Sequence, residues 1–228
     1  MLLTELNQHC LVHLFSFLDK ESRSRLSRTC LRLKKVFEEP CLWTRLQFSS
    51  PTQLRRGDFI LSPSLRFLTI SWFSIRVQQV CNIEDWLKSS FQKDMCSQHD
   101  GLVRDFLQRV YQMCPHLLEL SLSGCAHISD QDVLCVLKSC PKLRCLHLEN
   151  CVRITDAALE GLLTYGTSLQ EVRVDFCRNI SQSALQRVRQ SRPALRLRAE
   201  RSGCMIPDSK PADREDIRRT LQKVLLFS

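Results

Sequence analysis

Glycine and proline are scarce in this chain of 228 residues, six and eight respectively. That scarcity excludes collagen-like, linker-dominated and disordered architectures. Long apolar runs are missing too: no uninterrupted stretch approaches the roughly 18 residues of a membrane-spanning helix, so no membrane association is expected. The opening residues Met1-Leu-Leu-Thr-Glu-Leu6 carry no basic leader and soon reach Asn7, Gln8 and His9. An intracellular, cytoplasmic chain is therefore expected, the nucleus staying open. Catalytic signatures are lacking as well. There is no Gly-rich phosphate loop, no Gly-x-Ser-x-Gly, no His-Glu-x-x-His and no pair of carboxylates at a consistent site, so a non-enzyme without a cofactor is expected.

What is present is an ordinary globular composition, 43% hydrophobic and 25% charged, sufficient for a substantial core. Thirteen cysteines are an odd number in a chain without an export signal, which predicts reduced thiols acting as small buried hydrophobes. Cys140, Cys145, His147 and Cys151 lie close in sequence, but no Cys-x-x-Cys pair exists, and no metal site is expected. The net charge of +9 sits at the ends: +3 over residues 1–48, zero over 49–186 and +6 over 187–228. Without a basic, aromatic-studded stripe this excess predicts a solubilising surface, and no nucleic-acid partner is expected.

The second half repeats. Segments starting at Cys114, Cys140 and Gly166 are 26 residues apart with no insertion. Leu117, Leu143 and Leu169 coincide, then Leu120, Leu146 and Val172, then Leu122, Leu148 and Val174. Cys125, Cys151 and Cys177 follow, and after them Ile128, Ile154 and Ile180. Each Leu-x-x-Leu-x-Leu run alternates as a short strand with one buried face. Ser129, Thr155 and Ser181 stand where a helix N-cap belongs, ahead of helical spacing at Val133, Val136 and Leu137, and again at Leu159, Leu162 and Leu163. One unit cannot cover its own apolar face; stacked copies bury a continuous core. The pattern resembles the cysteine-containing leucine-rich repeat. That resemblance implies that Cys125, Cys151 and Cys177 form a buried ladder with thiols facing backbone at the turn from strand to helix.

Imperfect units flank these. Leu65, Leu68 and Ile70 fit the strand template two periods before Cys114. Ile83 to Met95 and Leu102 to Met113 read as helices, with Phe106, Leu107 and Val110 on one face, and no strand is recognisable near residue 88. After Leu195 the pattern slips by one residue, so that Leu197 and Ala199 alternate in a closing edge strand. Beyond Pro207 and Pro211, Ile217, Leu221, Val224 and Leu225 predict a capping helix.

Residues 1–48 do not repeat. Cys10, Leu11, Leu14, Phe15 and Leu18 share one helical face. Asp19 to Arg23 reads as a polar break, and Leu26, Cys30, Leu33, Val36 and Phe37 recur at three- and four-residue steps before Pro40-Cys-Leu42-Trp43. Leu14-Phe15-Ser16-Phe17-Leu18, Leu26 to Cys30 and Leu42-Trp43 resemble an F-box over residues 3–48. Family members commonly have Pro and Glu where this chain has Asn7 and His9, and an Asp-Leu pair where it has Ser22-Arg23. With the repeats behind it, this module resembles the F-box and leucine-rich-repeat family.

The resemblance implies an α/β chain: an all-α F-box at 1–48, degenerate early repeats and helices at 49–113, cysteine-containing repeats at 114–204, and a basic tail or capping helix at 205–228. Parallel strands would line the concave face of a curved solenoid and helices its convex face. It implies the substrate-recognition subunit of a Skp-cullin-F-box ubiquitin ligase, the head holding a Skp-type adaptor and through it a cullin and a RING subunit, the repeats holding a protein to be degraded. A repeat scaffold without ubiquitin transfer is the alternative. Leu6, Leu11, Leu14, Phe15, Phe17, Leu18, Leu42 and Trp43 are the adaptor-facing candidates, some of which must pack inside, with Leu14, Phe15 and Trp43 preferred as anchors. The expected substrate face is Glu119, Ser121, Cys145, His147, Glu149, Glu171, Arg173, Asp175, Arg196 and Arg198, with Phe67, Thr69 and Ser71 on the early strand.

Overall fold

Three side chains decide where the helices of the N-terminal head begin. In a computed structural model, which describes residues 5–71, 90–125, 128–151, 153–200 and 202, Asn7 Oδ1 accepts from Cys10 N–H and Asp19 Oδ1 from Ser22 N–H. Cys30 Sγ accepts from Leu33 N–H. Each satisfies a donor that a helix start leaves open. They open α1 (Gln8–Ser16), α2 (Lys20–Ser27) and α3 (Leu31–Phe37). The polar stretch read as a break after Asp19 is thus the first turn of α2. The Leu26-to-Phe37 stripe runs over two helices, interrupted at Cys30, because an N-cap needs extended backbone.

A 3₁₀ turn (Pro40–Trp43) leads through Thr44 directly into a strand, β1 (Arg45–Phe48). Helix α4 (Pro51–Arg55), β2 (Phe67–Ser71) and α5 (Ser90–Met113) follow. The regular coils are β3 (Glu119–Ser123) with α6 (Asp130–Ser139), β4 (Cys145–Glu149) with α7 (Asp156–Tyr165), and β5 (Glu171–Arg173) with α8 (Gln182–Ser191); β6 (Arg196–Arg198) closes the row. All six strands are parallel in the order β1-β2-β3-β4-β5-β6. Their paired residues Arg45, Phe67, Glu119, Cys145, Glu171 and Arg196 are 22, 52, 26, 26 and 25 positions apart. The last step is the one-residue slip seen in the sequence. The segments read as two helices end in one, α5; residues 83–89, the position near 88 and the Ile217–Leu225 helix lie outside the described residues.

One face of each strand supplies the core. Leu68, Ile70, Leu120, Leu122, Leu146, Leu148, Val172 and Val174 are buried against Phe106, Leu107, Val110, Val133, Val136, Leu159, Leu162, Leu185 and Val188. Leu163, expected with them, is only partly covered. Burying each such side chain contributes about 1.5–3 kcal/mol. Gly161 lets α7 approach α6, since a Cβ there would collide with the Leu134 side chain.

Polar ladders run through this core. Cys125 Sγ–H donates to Ile70 O at 3.7 Å, Cys151 to Leu122 O at 3.4 Å and Cys177 to Leu148 O at 2.8 Å. Ser202 continues the series one coil later: its hydroxyl donates to Val174 O and accepts from Cys177 N–H. Outside the turn a second ladder forms, as Asp130 holds Thr155 N–H and hydroxyl at 2.8 and 2.6 Å. Asp156 holds Ser181 in the same way, at 2.7 and 2.6 Å. Thr155 and Ser181 cap α7 and α8 themselves, and each coil's aspartate holds the cap residue of the next.

Candidate docking head and open sheet face

Helix phase separates the eight head candidates. Leu11, Phe15 and Trp43 are fully buried and Leu42 nearly so. Trp43 Nε1–H donates to Phe37 O at 2.6 Å and its ring meets Phe37 edge-on, with centroids 4.9 Å apart. Phe15 and Trp43 therefore hold the head together and are not available as anchors. Leu6, Leu14 and Leu18 lie at its margin, partly buried. Phe17 is 76% exposed. Leu31, not among the candidates, is 79% exposed, and it borders a cavity of about 530 Å³ shared with Cys30, Lys34, Phe37 and Ile60. Its signal was an apolar residue lying off the Leu33, Val36 and Phe37 stripe. Arg32 Nη2–H donates to Leu6 O at 2.5 Å, which brings the start of α3 beside the chain entering α1.

Arg23, a departure from the family pattern, is a clasp. Its guanidinium donates to Phe15 O at 2.8 Å, Leu42 O at 2.7 Å and Ser16 O at 3.2 Å. It thereby closes the end of α1 onto the 3₁₀ turn. Burial, acting against Asp19, pulls its pKa below the ordinary guanidinium value. Asn7, another of the departures, is the α1 cap described above. Lys20 joins head to sheet: Nζ donates to Gln47 O at 2.7 Å and to Gln53 Oε1 at 3.2 Å, and sits 4.1 Å from the Phe48 ring centroid.

The other strand face is open, and parallel register sorts it into rows across the sheet. One row is Arg45, Phe67, Glu119, Cys145, Glu171 and Arg196; the next is Gln47, Thr69, Ser121, His147, Arg173 and Arg198. In the C-terminal half two cationic side chains gather on Glu171. Arg173 Nε is 2.8 Å from Glu171 Oε1, and His147 Nε2 is 3.4 Å from the same oxygen. Arg173 first, then His147, hold the Glu171 carboxyl below its usual range. Asp175, expected on the open face, is 3% exposed. Its oxygens are taken by Arg198 Nε at 3.0 Å and Glu200 N–H at 2.6 Å. It belongs to the turn after β5 rather than to a free surface. Ser71 and Ser123 are buried at the same level, where Ser123 Oγ–H donates to Glu149 Oε2 at 3.1 Å. Glu149, Arg196 and Arg198 stay at the rim.

At Cys145 burial first, then Glu119 and Glu171, push the thiol up, against thiolate formation. Cys140 and Cys151, placed near it by sequence, point away into the core, Cys140 donating to Cys114 O at 3.7 Å. Among the described residues no group of three or more His, Cys, Asp or Glu could hold a metal ion, and no helix is long and apolar enough to cross a membrane.

Residues 8–49 match the F-box-like family model, and residues 114–137 and 139–163 match the Leucine Rich repeat model. The mouse F-box and leucine-rich protein 22 is 61% identical over 214 residues, 94% of this chain and 90% of its own length. The human F-box and leucine-rich protein 22 is 59% identical over 110 residues, 48% of this chain and 44% of its own. A crystal structure of the Rad7 and Elc1 complex in yeast aligns with 86% of this chain and 47% of that chain, at 15% identity and a TM-score of 0.36. That likeness is too loose to carry an argument.

Proposed function

The chain belongs to the family of F-box and leucine-rich proteins, and from that premise we propose that it is the non-catalytic substrate receptor of a Skp-cullin-F-box ubiquitin ligase. The observation that carries this reading is the exposure of Phe17 and Leu31 on a head whose interior is already filled by Phe15, Phe37 and Trp43. Large apolar side chains left in water beside partly covered leucines are what a docking partner buries. The Skp-type adaptor would take this face and bring the cullin and RING subunits with it. The open sheet face would hold the protein to be degraded. Chemistry would stay on the partners, and this chain would supply proximity, raising the local concentration of a substrate lysine to the order of millimolar. A reducing compartment such as the cytoplasm is the proposed setting, with Cys114, Cys140, Cys151 and Cys177 used as buried core residues.

The test is capture of a purified Skp-type adaptor. Phe17→Asp with Leu31→Asp should abolish capture while far-UV circular dichroism and the unfolding midpoint stay at parental values. Capture that survives both charges sinks the assignment of this face. Adaptor capture without cullin recruitment would favour a scaffold that transfers no ubiquitin.

A further inference from the structure

The charges of the head do not pair off. Three of its five carboxylates are engaged: Asp19 caps α2, Glu21 meets Arg56 at 2.7 Å, and Glu39 accepts from Gln8 Nε2 at 2.9 Å. Among its cations, Lys20 and Arg23 are bound to carbonyls, and Arg45 lies over the Phe67 ring. Arg25, Arg28, Lys34 and Lys35 are exposed, and among the described residues none of the four has an ion-pair partner. Three of them gather around Leu31, itself 79% exposed. Lys34 and Lys35 follow Leu31 by three and four positions and so share its side of α3. Arg28 and Lys34 line the cavity of about 530 Å³ that Leu31 borders. Glu38 is the one carboxylate on that lining, so the rim stays positive.

We propose that the adaptor surface seated on Leu31 is an apolar socket rimmed by carboxylates, in which charge sets the speed of arrival and the leucine sets the length of stay. The proposal rests on the receptor reading above and names the chemistry of its partner. Like charges crowded on one small face repel each other in the free head. A rim of carboxylates on the partner relieves that repulsion. The cations are exposed, so each pair formed adds little at equilibrium. Their summed field instead guides the encounter, over a range of about 8 Å at physiological salt. Leu31 passes from water into the socket, and that burial opposes departure. A protein partner fits this face better than a nucleic acid. The centre of the patch is aliphatic, which a phosphate backbone does not reward. The one aromatic lining the cavity, Phe37, is 9% exposed and is not placed to stack on a base.

The experiment is stopped-flow association of the full chain with a purified, labelled Skp-type adaptor. Between 50 and 500 mM NaCl kon should fall about tenfold, while koff changes little. At 50 mM NaCl, Arg28→Glu, Lys34→Glu and Lys35→Glu together should slow kon by about tenfold and flatten its salt dependence. Leu31→Ala should do the opposite, raising koff about tenfold with kon unaltered. Arg28→Gln, Lys34→Gln and Lys35→Gln together should shift kon in the same direction by less, and they serve as the test should reversed charges disturb α3 by circular dichroism. A kon indifferent to salt and to both triple variants overturns the proposal. So does retention on duplex DNA that the triple variants abolish while adaptor association stays unchanged, since the patch would then be a nucleic-acid face. The two readings fail differently: capture without any salt effect sinks only the charged rim, whereas a parent chain that captures no adaptor at any salt sinks the receptor role and the rim with it.

Discussion

Single atoms decide more here than residue classes do. Ser202 stands in the thiol series as a hydroxyl, donating to Val174 O and accepting from Cys177 N–H inside the core. Ser202→Ala should cost about 1–3 kcal/mol in urea unfolding, because both partners are left buried and unpaired, whereas Ser202→Cys should recover most of the loss. The sequence hides this residue twice, by a change of residue type and by the 25-residue step that moves it out of phase. Arg23 was hidden for another reason: a guanidinium whose partners are three carbonyls has no sequence signature. The buried thiols give a pH prediction. Burial pushes Cys177 up to about 12, and Cys114 and Cys140 up to about 11. All three folded-state values lie above the unfolded value of 9.0. The neutral thiol is favoured only in the folded chain, so this stability is fully present below pH 9 and is lost as pH rises above it. The loss for Cys177 should reach about 1.4 kcal/mol per pH unit. Denaturant midpoints measured from pH 8 to 10.5 should fall accordingly, and a flat profile would contradict the ladder.

At the scale of elements, periodicity was the legible signal. The 26-residue spacing placed β3, β4 and β5 and assigned their buried faces, because a two-residue period has only two phases and the leucines choose one. The head was harder. Leu11, Val12, Leu14 and Phe15 surround so much of a nine-residue helix, with Phe17 its C-cap and Leu18 just beyond, that no single stripe separates Phe15 inside from Phe17 outside. Spacing was equally silent on the aspartate ladder, whose partners are 25 positions apart. Asp130→Ala should remove both bonds to Thr155, the residue that caps α7, and loosen that helix start, costing about 1–2 kcal/mol. Asp130→Asn, which can still accept from the hydroxyl, should cost less. Thermal melts of the two variants would show the order, and equal losses would mean that the helix start is held by something else.

For the molecule as a whole, the junction at Thr44 matters most. Thr44 O accepts from both Arg66 N–H and Phe67 N–H, at 2.8 and 3.0 Å, so the last turn of the head is hydrogen-bonded into the sheet. Lys20 and the Arg56–Glu21 pair at 2.7 Å bind the same seam from the other side. Head and coils should therefore unfold together. Trp43→Ala, a loss of about 3–5 kcal/mol, should lower one shared transition seen equally by far-UV circular dichroism and by proteolysis of the repeats. Two separated transitions would show that the seam is weak.

The same seam governs reach. With one threonine between the turn and the first strand, head and coils keep a constant bearing, like two arms cast in one piece. In the proposed receptor role, lysines on a passenger protein would be selected by where they happen to point, and those outside a narrow arc would stay untouched however long the passenger remained aboard.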